Sequence, residues 1–232
     1  MVRGAAALLT APLLATAYFA VAPALPDLGD GDLALLVADG IGLLAIAATV
    51  WSLLPAWRAQ NVLAIVLLGA AVVTAILNLA GVGAVANVPE ALAASAAGLL
   101  LASALATPAV ALAVPLFVAA IDIWSVASGP TARLVDSGRD PVDVLSFDFP
   151  AWGGGSAGGL GLTDAIFLAM FAGWAWRFGL RRRATLAGMT IGLLGALVLS
   201  LATDEAIPAL PLVAAGYLLP NVDRLVARVR PA

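Results

Sequence analysis

The chain of 232 residues contains no cysteine, no histidine and no lysine. The absence of cysteine and histidine excludes disulfides, thiol nucleophiles, imidazole bases and the usual zinc ligands. Charged residues make up only 11% of the chain, and every basic residue is an arginine. Any chemistry must therefore use carboxylates, hydroxyl groups or arginines.

The sequence is rich in apolar residues. They make up 63% of the chain, and the mean hydropathy is +1.07, which is typical of a protein surrounded mostly by lipid. A helix needs about 20 apolar residues to cross roughly 30 Å of hydrocarbon. Eight stretches are long enough, namely 4–25, 33–55, 61–82, 89–106, 108–128, 160–178, 184–203 and 207–222. We therefore expect an all-α, multi-pass protein of the cell membrane with about eight transmembrane helices.

Two features divide this series. The residue before Pro108 is pushed out of the helical region, which predicts a tight helical hairpin between the fourth and fifth stretches. Residues 1–106 then form an N-terminal group of four helices, and 107–232 form a second group with a long loop at 129–159. The first stretch could instead be a cleaved signal peptide, because it has a basic start and small residues at Ala22 and Ala24.

The placement of charge predicts the orientation, because short loops rich in arginine stay cytoplasmic. The arginines that fall on the cytoplasmic side, with both chain ends, are Arg3, Arg58, those within 177–183, Arg224, Arg228 and Arg230. The acidic connections, which contain Asp27, Asp30, Asp32, Glu90, Asp204 and Glu205, are then external. The 129–159 loop holds two arginines but four aspartates, so it is also placed outside. The run at 181–183 is interpreted as a topology anchor, and Arg224, Arg228 and Arg230 as an attraction to anionic lipid; neither group indicates nucleic acid.

Two aspartates lie inside apolar stretches, Asp122 near the end of the fifth and Asp164 near the start of the sixth. An ionised carboxylate costs several kcal/mol in hydrocarbon, so such a residue indicates a functional site. In the predicted topology both lie about 6–9 Å below the external face and can meet across a helix interface. Two carboxyl groups this close share one proton. Such a pair can activate a water molecule without a metal or another cofactor.

Three segments of the second half carry a family pattern. Ile121-Asp122 is followed by a short apolar run and Gly129-Pro130, and the later segments are 161–164, with the sequence Gly-Leu-Thr-Asp, and 208–211, with the sequence Pro-Ala-Leu-Pro. In order and spacing they resemble the first-aspartate segment, the Gly-x-Gly-Asp motif and the Pro-Ala-Leu motif of presenilins and signal peptide peptidases. The likeness covers roughly residues 107–220.

The resemblance implies an intramembrane aspartyl endopeptidase that cleaves transmembrane helical peptides. It assigns catalysis to Asp122 and Asp164, and support of the active site to Gly161, Leu162, Thr163, Pro208, Ala209, Leu210 and Pro211. The chain departs from the family pattern at Ile121, where a tyrosine is usual, and at Thr163, where the motif has its second glycine. It also has eight predicted spans where the family usually has nine. Because of these departures, a catalytically silent scaffold is an alternative.

Two other classes remain as alternatives. Type IV prepilin peptidases also carry a Gly-x-Gly-Asp motif, but they usually place a lysine after the aspartate and lack the Pro-Ala-Leu element. In a transporter or channel, Asp122 and Asp164 would carry protons or bind a cation. The embedded charge lies toward one face, which favours a one-sided reaction chamber. Of the other embedded polar residues, Asp39 is expected at the external headgroups and Asn78 in an interhelical hydrogen bond.

The loop after Asp122 contains a candidate strand. Residues 143–149 alternate imperfectly between polar and apolar types, and Pro150 and the glycines at 153–155 end the pattern. Val144, Leu145, Ser146 and Phe147 could pair with an unwound substrate segment and replace its lost backbone hydrogen bonds. The alternative is an irregular external loop. The glycine run lacks the Gly-Lys-Ser/Thr ending of a phosphate loop, so we interpret it as a flexible hinge.

Overall fold

The computed structural model describes residues 2–29, 31–128 and 146–229, with side chains from residue 9 onward. Helices make up 78% of it, which confirms the predominantly helical fold class. The helices are α1 (Val2–Val21), α2 (Asp32–Ser52), α3 (Gln60–Leu79), α4 (Gly83–Ala104), α5 (Pro108–Ser128), α6 (Leu162–Arg177), α7 (Arg182–Thr203), α8 (Leu210–Leu218) and α9 (Val222–Val229). The strands are β1 (Ser146–Pro150) and β2 (Ser156–Gly161), and short 3-10 turns follow α1 and α2.

Among the residues that the structure describes, five helices are long and apolar enough to cross a membrane. They are α2 with its following 3-10 turn, α3, α4, α5 and α7, and they are compatible with a multi-pass membrane protein. The apolar helix at Leu9–Ala24 is shorter, and α6 has 16 residues. Residues 207–222 do not form one long helix, because α8 has nine residues and the chain turns at 219–221 before α9. A helix of that length extends only about 14 Å, less than half the hydrocarbon thickness.

The core lies between α2, α4 and α6, with α3 and α5 at the periphery. Glycines let α4 and α6 approach closely, since a Cβ added at Gly98 would lie 2.7 Å from the Cβ of Ala169. Likewise, a Cβ at Gly173 would lie 2.9 Å from that of Ala102. Small residues are the usual means of close helix packing in membranes, where contact depends on van der Waals complementarity rather than on exclusion of water.

A second glycine contact positions α8 on α7. A Cβ added at Gly188 would lie 2.5 Å from the carbonyl oxygen of Gly216, and one at Gly192 would lie 2.5 Å from that of Leu212. The two backbones therefore touch directly along most of the short helix. Tyr217 of α8 also stacks on Phe171 of α6, with ring centroids 5.2 Å apart. Contacts with two longer helices thus hold a helix too short to be stable alone.

The connection between α4 and α5 is as short as Pro108 predicts, but the tight hairpin is wrong. Helix α5 packs mainly against α8 and α9 rather than along α4. Its C-terminal half, which contains Asp122, is thereby brought to the start of α8. The reason is long-range packing, which a proline between two apolar runs does not encode.

The strand predicted at 143–149 is confirmed from Ser146 onward, and Val144 and Leu145 lie outside the described residues. It pairs antiparallel with β2, with Phe147 opposite Leu160 and Phe149 opposite Gly158. Phe147 and Phe149 are buried, and the ring of Phe149 packs where a Cβ at Gly42 of α2 would stand, at 2.8 Å. The glycines at 153–155 all have φ between 86° and 104°, so they form the hairpin loop in a conformation that glycine adopts without strain.

Candidate functional site

Asp122 sits on α5 at the N-terminus of α8. Its Oδ2 accepts a hydrogen bond of 3.0 Å from the backbone N–H of Leu210, the first residue of α8. Ala209 precedes the helix without a side-chain cap, and Pro211 has no N–H to offer. The carboxyl group therefore takes the place of a capping side chain, where the helix dipole also favours negative charge.

Asp164 is the third residue of α6 and accepts from the backbone N–H of Gly161, the residue that caps this helix. Such a bond from the third helical residue back to the cap is half of a capping box. Gly161 has φ −63° and ψ 139°, which any residue adopts, so its backbone does not require glycine. The space around Gly161 is tight, however, because a Cβ there would lie 3.1 Å from Oδ2 of Asp164.

The structure brings the two aspartates together. Their carboxyl groups are close enough to interact electrostatically, and both side chains are partly buried. One hydrogen bond to each carboxyl group from a backbone N–H leaves further lone pairs for a water molecule or a substrate group. Two partly buried carboxyl groups that interact electrostatically disfavour the ionisation of both at once.

The three sequence segments thus converge on one place. Leu210 contacts Asp122 directly, and Pro208, Ala209 and Pro211 lie partly buried around the start of α8. The two residues that depart from the family pattern, Ile121 and Thr163, are both exposed.

The β-hairpin leads into this site, since β2 ends at Gly161 immediately before α6. Its other strand is clamped by Asn87 of α4. Asn87 Nδ2 donates to the carbonyl oxygen of Asp148 at 2.6 Å, and the N–H of Asp148 donates to Asn87 Oδ1 at 3.2 Å. Asn87 is 2% exposed, so this pair of bonds is a buried anchor between the hairpin and the helix bundle.

The clamp shows which edge of the hairpin is open. Because both backbone groups of Asp148 bind Asn87, they point away from β2, and Asp148 with its partner Gly159 is a pair without mutual hydrogen bonds. The backbone groups of Gly159 must then also point outward. No other described strand pairs with β2. Two residues further on, the N–H of Gly161 faces the same way and binds Asp164, so the open edge of β2 ends at the second aspartate.

Sequence reasoning missed Asp39. It was expected at the external headgroups, but it is 7% exposed and lies under β2, where a Cβ at Gly158 would be 2.6 Å from its Oδ2. It also interacts electrostatically with Asp148. The predicted interhelical hydrogen bond of Asn78 is not found among the described residues, because its side chain is exposed on α3. The signal for Asp39 and Asn87 was present, because polar residues inside apolar helices usually face protein rather than lipid.

No family model matches this chain, and no curated protein matches it at a significant level. A function must therefore be argued from the chemistry of the site rather than from descent.

Proposed function

We propose that the chain is an intramembrane aspartyl endopeptidase that hydrolyses peptide bonds in transmembrane helical peptides. In its motifs it resembles presenilins and signal peptide peptidases. The observation that carries the proposal is the convergence of Asp122 and Asp164 from different helices, with Leu210 of the third motif hydrogen-bonded to the first aspartate.

The reaction uses the pair as a unit. One carboxylate takes a proton from a trapped water, while the other carboxyl group, in its neutral form, polarises the scissile carbonyl. The product of attack is a tetrahedral diol, which collapses as the amine leaves with a proton from the pair. The single proton belongs to the pair rather than to one residue. The backbone donors from Leu210 and Gly161 keep the two carboxyl groups oriented as the proton moves.

Substrate presentation uses the open edge of β2. A helical substrate has its backbone groups satisfied internally, so it must unwind locally before a peptide bond reaches the dyad. Pairing of the unwound segment with the outward-facing backbone groups of β2 replaces those bonds. Ser146 and Phe147, which the sequence predicted to pair with the substrate themselves, lie on β1, whose edges are taken by β2 and Asn87. The proposed pairing therefore moves to β2.

The orientation follows from the arginines. With both chain ends cytoplasmic, the dyad and the hairpin lie at the external face of the cell membrane, in an eight-span bundle in which α1, α6 and the segment 207–222 that contains α8 complete the five long helices. Arg177 at the end of α6 lies about 20 Å from the level of Asp164, which suits opposite membrane faces.

Cleavage by the purified full-length protein tests the proposal. Wild-type protein in detergent should cut members of a panel of transmembrane peptides, and Asp122→Asn and Asp164→Asn should each reduce cleavage by about 100-fold or more. Glu205→Gln is the matched control, because Glu205 is an exposed acid outside the site. A hydroxyl-bearing peptide mimic of the diol should bind wild type and neither aspartate variant.

Other outcomes contradict the proposal. Cleavage that survives in either aspartate variant would exclude the dyad. Proton flux into liposomes that both variants lose, without cleavage of any peptide, would indicate a transporter. Neither cleavage nor flux, with no binding of the diol mimic, would indicate a silent scaffold.

A further inference from the structure

A cavity of about 490 Å³ opens at the end of the bundle opposite the two aspartates. It lies between the connection from α2 to α3, the end of α4 and the end of α6. Its polar and aromatic lining is formed by Trp57, Arg58, Gln60, Ser103, Arg177 and Phe178. The proposed protease chemistry uses none of these residues.

Two arginines from separate parts of the chain converge on this cavity. Arg58 precedes α3, Arg177 ends α6, and both are exposed. Neither forms an ion pair within the described residues, where the salt bridge found is the one between Arg181 and Asp223. The Arg58 guanidinium lies over the Trp57 ring, 4.6 Å from its centroid. A guanidinium group held over an indole ring keeps N–H groups that can donate to a ligand.

The rest of the lining favours an anion. Gln60 and Ser103 offer neutral donors, and α3 begins at Gln60 without a side-chain cap, so the first N–H groups of this helix add positive charge. At the end of α4, the carbonyl groups of Ala102 and Leu105 accept from the indole N–H of Trp174. They are therefore less available to accept hydrogen bonds from the groups that would bind an anion. No acidic side chain lines the cavity among the described residues.

We propose that this cavity binds the phosphate group of an anionic phospholipid. Two guanidinium groups match the oxygens of a phosphate group, and their charge selects an anionic headgroup over a zwitterionic one. Beyond Gln60 the outer face of α3 is apolar and exposed, with Val62 at 49% and Ile65 at 71%, so acyl chains have a surface to lie on. Trp57 lines the cavity and Trp176 directly precedes Arg177. Tryptophan is enriched where a membrane meets water, so these residues are consistent with a membrane boundary at this end of the bundle. This inference is independent of the proposed protease activity.

Lipid binding by the purified full-length protein tests the site. Delipidated protein is titrated with dioctanoyl phosphatidylglycerol, dioctanoyl phosphatidylcholine and inorganic phosphate, and complexes are measured by native mass spectrometry. Wild-type protein should bind phosphatidylglycerol saturably and at least about tenfold more tightly than the other two. Arg58→Gln and Arg177→Gln should each weaken that binding about tenfold, and Arg177→Lys should fall between, because it keeps the charge without the planar fork.

Arg228→Gln is the control, because Arg228 is an exposed arginine of α9 that does not line the cavity. It should change the affinity less than twofold. An equal loss in Arg228→Gln would show attraction to general surface charge and overturn the site. Unchanged binding in both cavity variants would overturn it as well. Inorganic phosphate bound as tightly as the lipid, with the same arginine dependence, would identify a free phosphate site and exclude the lipid.

Discussion

The backbone N–H of Leu210 donates a hydrogen bond of 3.0 Å to Oδ2 of Asp122. This one contact joins the end of α5 to the start of α8, and it links two sequence segments whose relation is not visible along the chain. Helix α8 is held in turn by α7 and α6, so the position of Asp122 depends on packing well outside the site.

Replacing Asp122 separates its structural role from its proposed chemical role. Asp122→Asn retains an oxygen that can accept from Leu210, so we expect unfolding within about 0.5 kcal/mol of wild type. Asp122→Ala leaves a partly buried N–H unpaired and should cost about 1–3 kcal/mol. Denaturant titration of the purified protein measures both. Equal stability of the two variants would show that this bond does not hold α8.

Gly161→Ala tests the space beside the second aspartate. The added Cβ would lie 3.1 Å from Oδ2 of Asp164, so the carboxyl group must move although the backbone can accept alanine. Peptide cleavage should fall about tenfold or more while the fold is retained, because small displacements of catalytic groups are costly. Gly31→Ala is the matched control, since Gly31 also caps a helix in an extended conformation but has open space around it. A similar loss in that control would contradict the steric account.

Asn87→Ala tests the clamp on the hairpin. The substitution removes both partners of the Asp148 backbone, so we expect a loss of about 1–3 kcal/mol in stability and faster amide exchange in β1. Hydrogen exchange followed by mass spectrometry measures the hairpin directly. Asn78→Ala, an exposed asparagine of α3, should leave exchange in β1 unchanged. Unaltered protection of β1 in Asn87→Ala would show that pairing with β2 alone holds the strand.

The contact between α7 and α8 should tolerate no side chain at Gly188. A Cβ there would meet the Gly216 carbonyl at 2.5 Å, so α8 must shift, at a cost of about 1–3 kcal/mol. Peptide cleavage should fall with it, because Leu210 moves relative to Asp122. In Gly195→Ala the added atom would have its nearest neighbour, Leu212, at 3.9 Å, an ordinary contact, and stability should be unchanged. Thermal unfolding of Gly188→Ala and Gly195→Ala measures the difference. Equal unfolding temperatures for the two variants would contradict a steric contact at Gly188.

The ion pair at the arginine-rich end makes a prediction about pH. The hydrogen bonds from Arg181 hold the pKa of Asp223 below its usual 3.8, at about 2. Because the folded pKa is depressed, the stabilisation is present above about pH 4 and is lost as the pH falls toward 2. The difference in unfolding temperature between wild type and Asp223→Asn should therefore become smaller as the pH falls from about 4 toward 2. A difference that does not shrink between pH 4 and pH 2 would have another origin.

Local patterns in the sequence predicted much of the fold. Continuous apolar length located most of the helices, but the predicted count of about eight spans is not confirmed, since five described helices are long and apolar enough to cross a membrane. Pro108 located the break between α4 and α5, and alternation together with the glycine run located β1 and the hairpin loop. They also singled out Asp122 and Asp164, because a carboxylate is costly inside an apolar stretch. Each of these inferences depends only on residues within about one helix length, where backbone conformation and side-chain polarity are directly related.

The sequence by itself determined a helical, lipid-compatible chain without cysteine, histidine or lysine, in which two carboxyl groups lie inside apolar stretches. Only the tertiary structure decided that α5 packs on α8, that Asn87 closes one edge of the hairpin and leaves the other open, and that Asp39 is buried under Gly158. The physical reason is that these contacts join residues far apart in the chain, and helix packing in an apolar medium depends on shape. Several arrangements of equally apolar helices satisfy the same pattern, and close contacts at positions such as Gly188 and Gly98 select one of them.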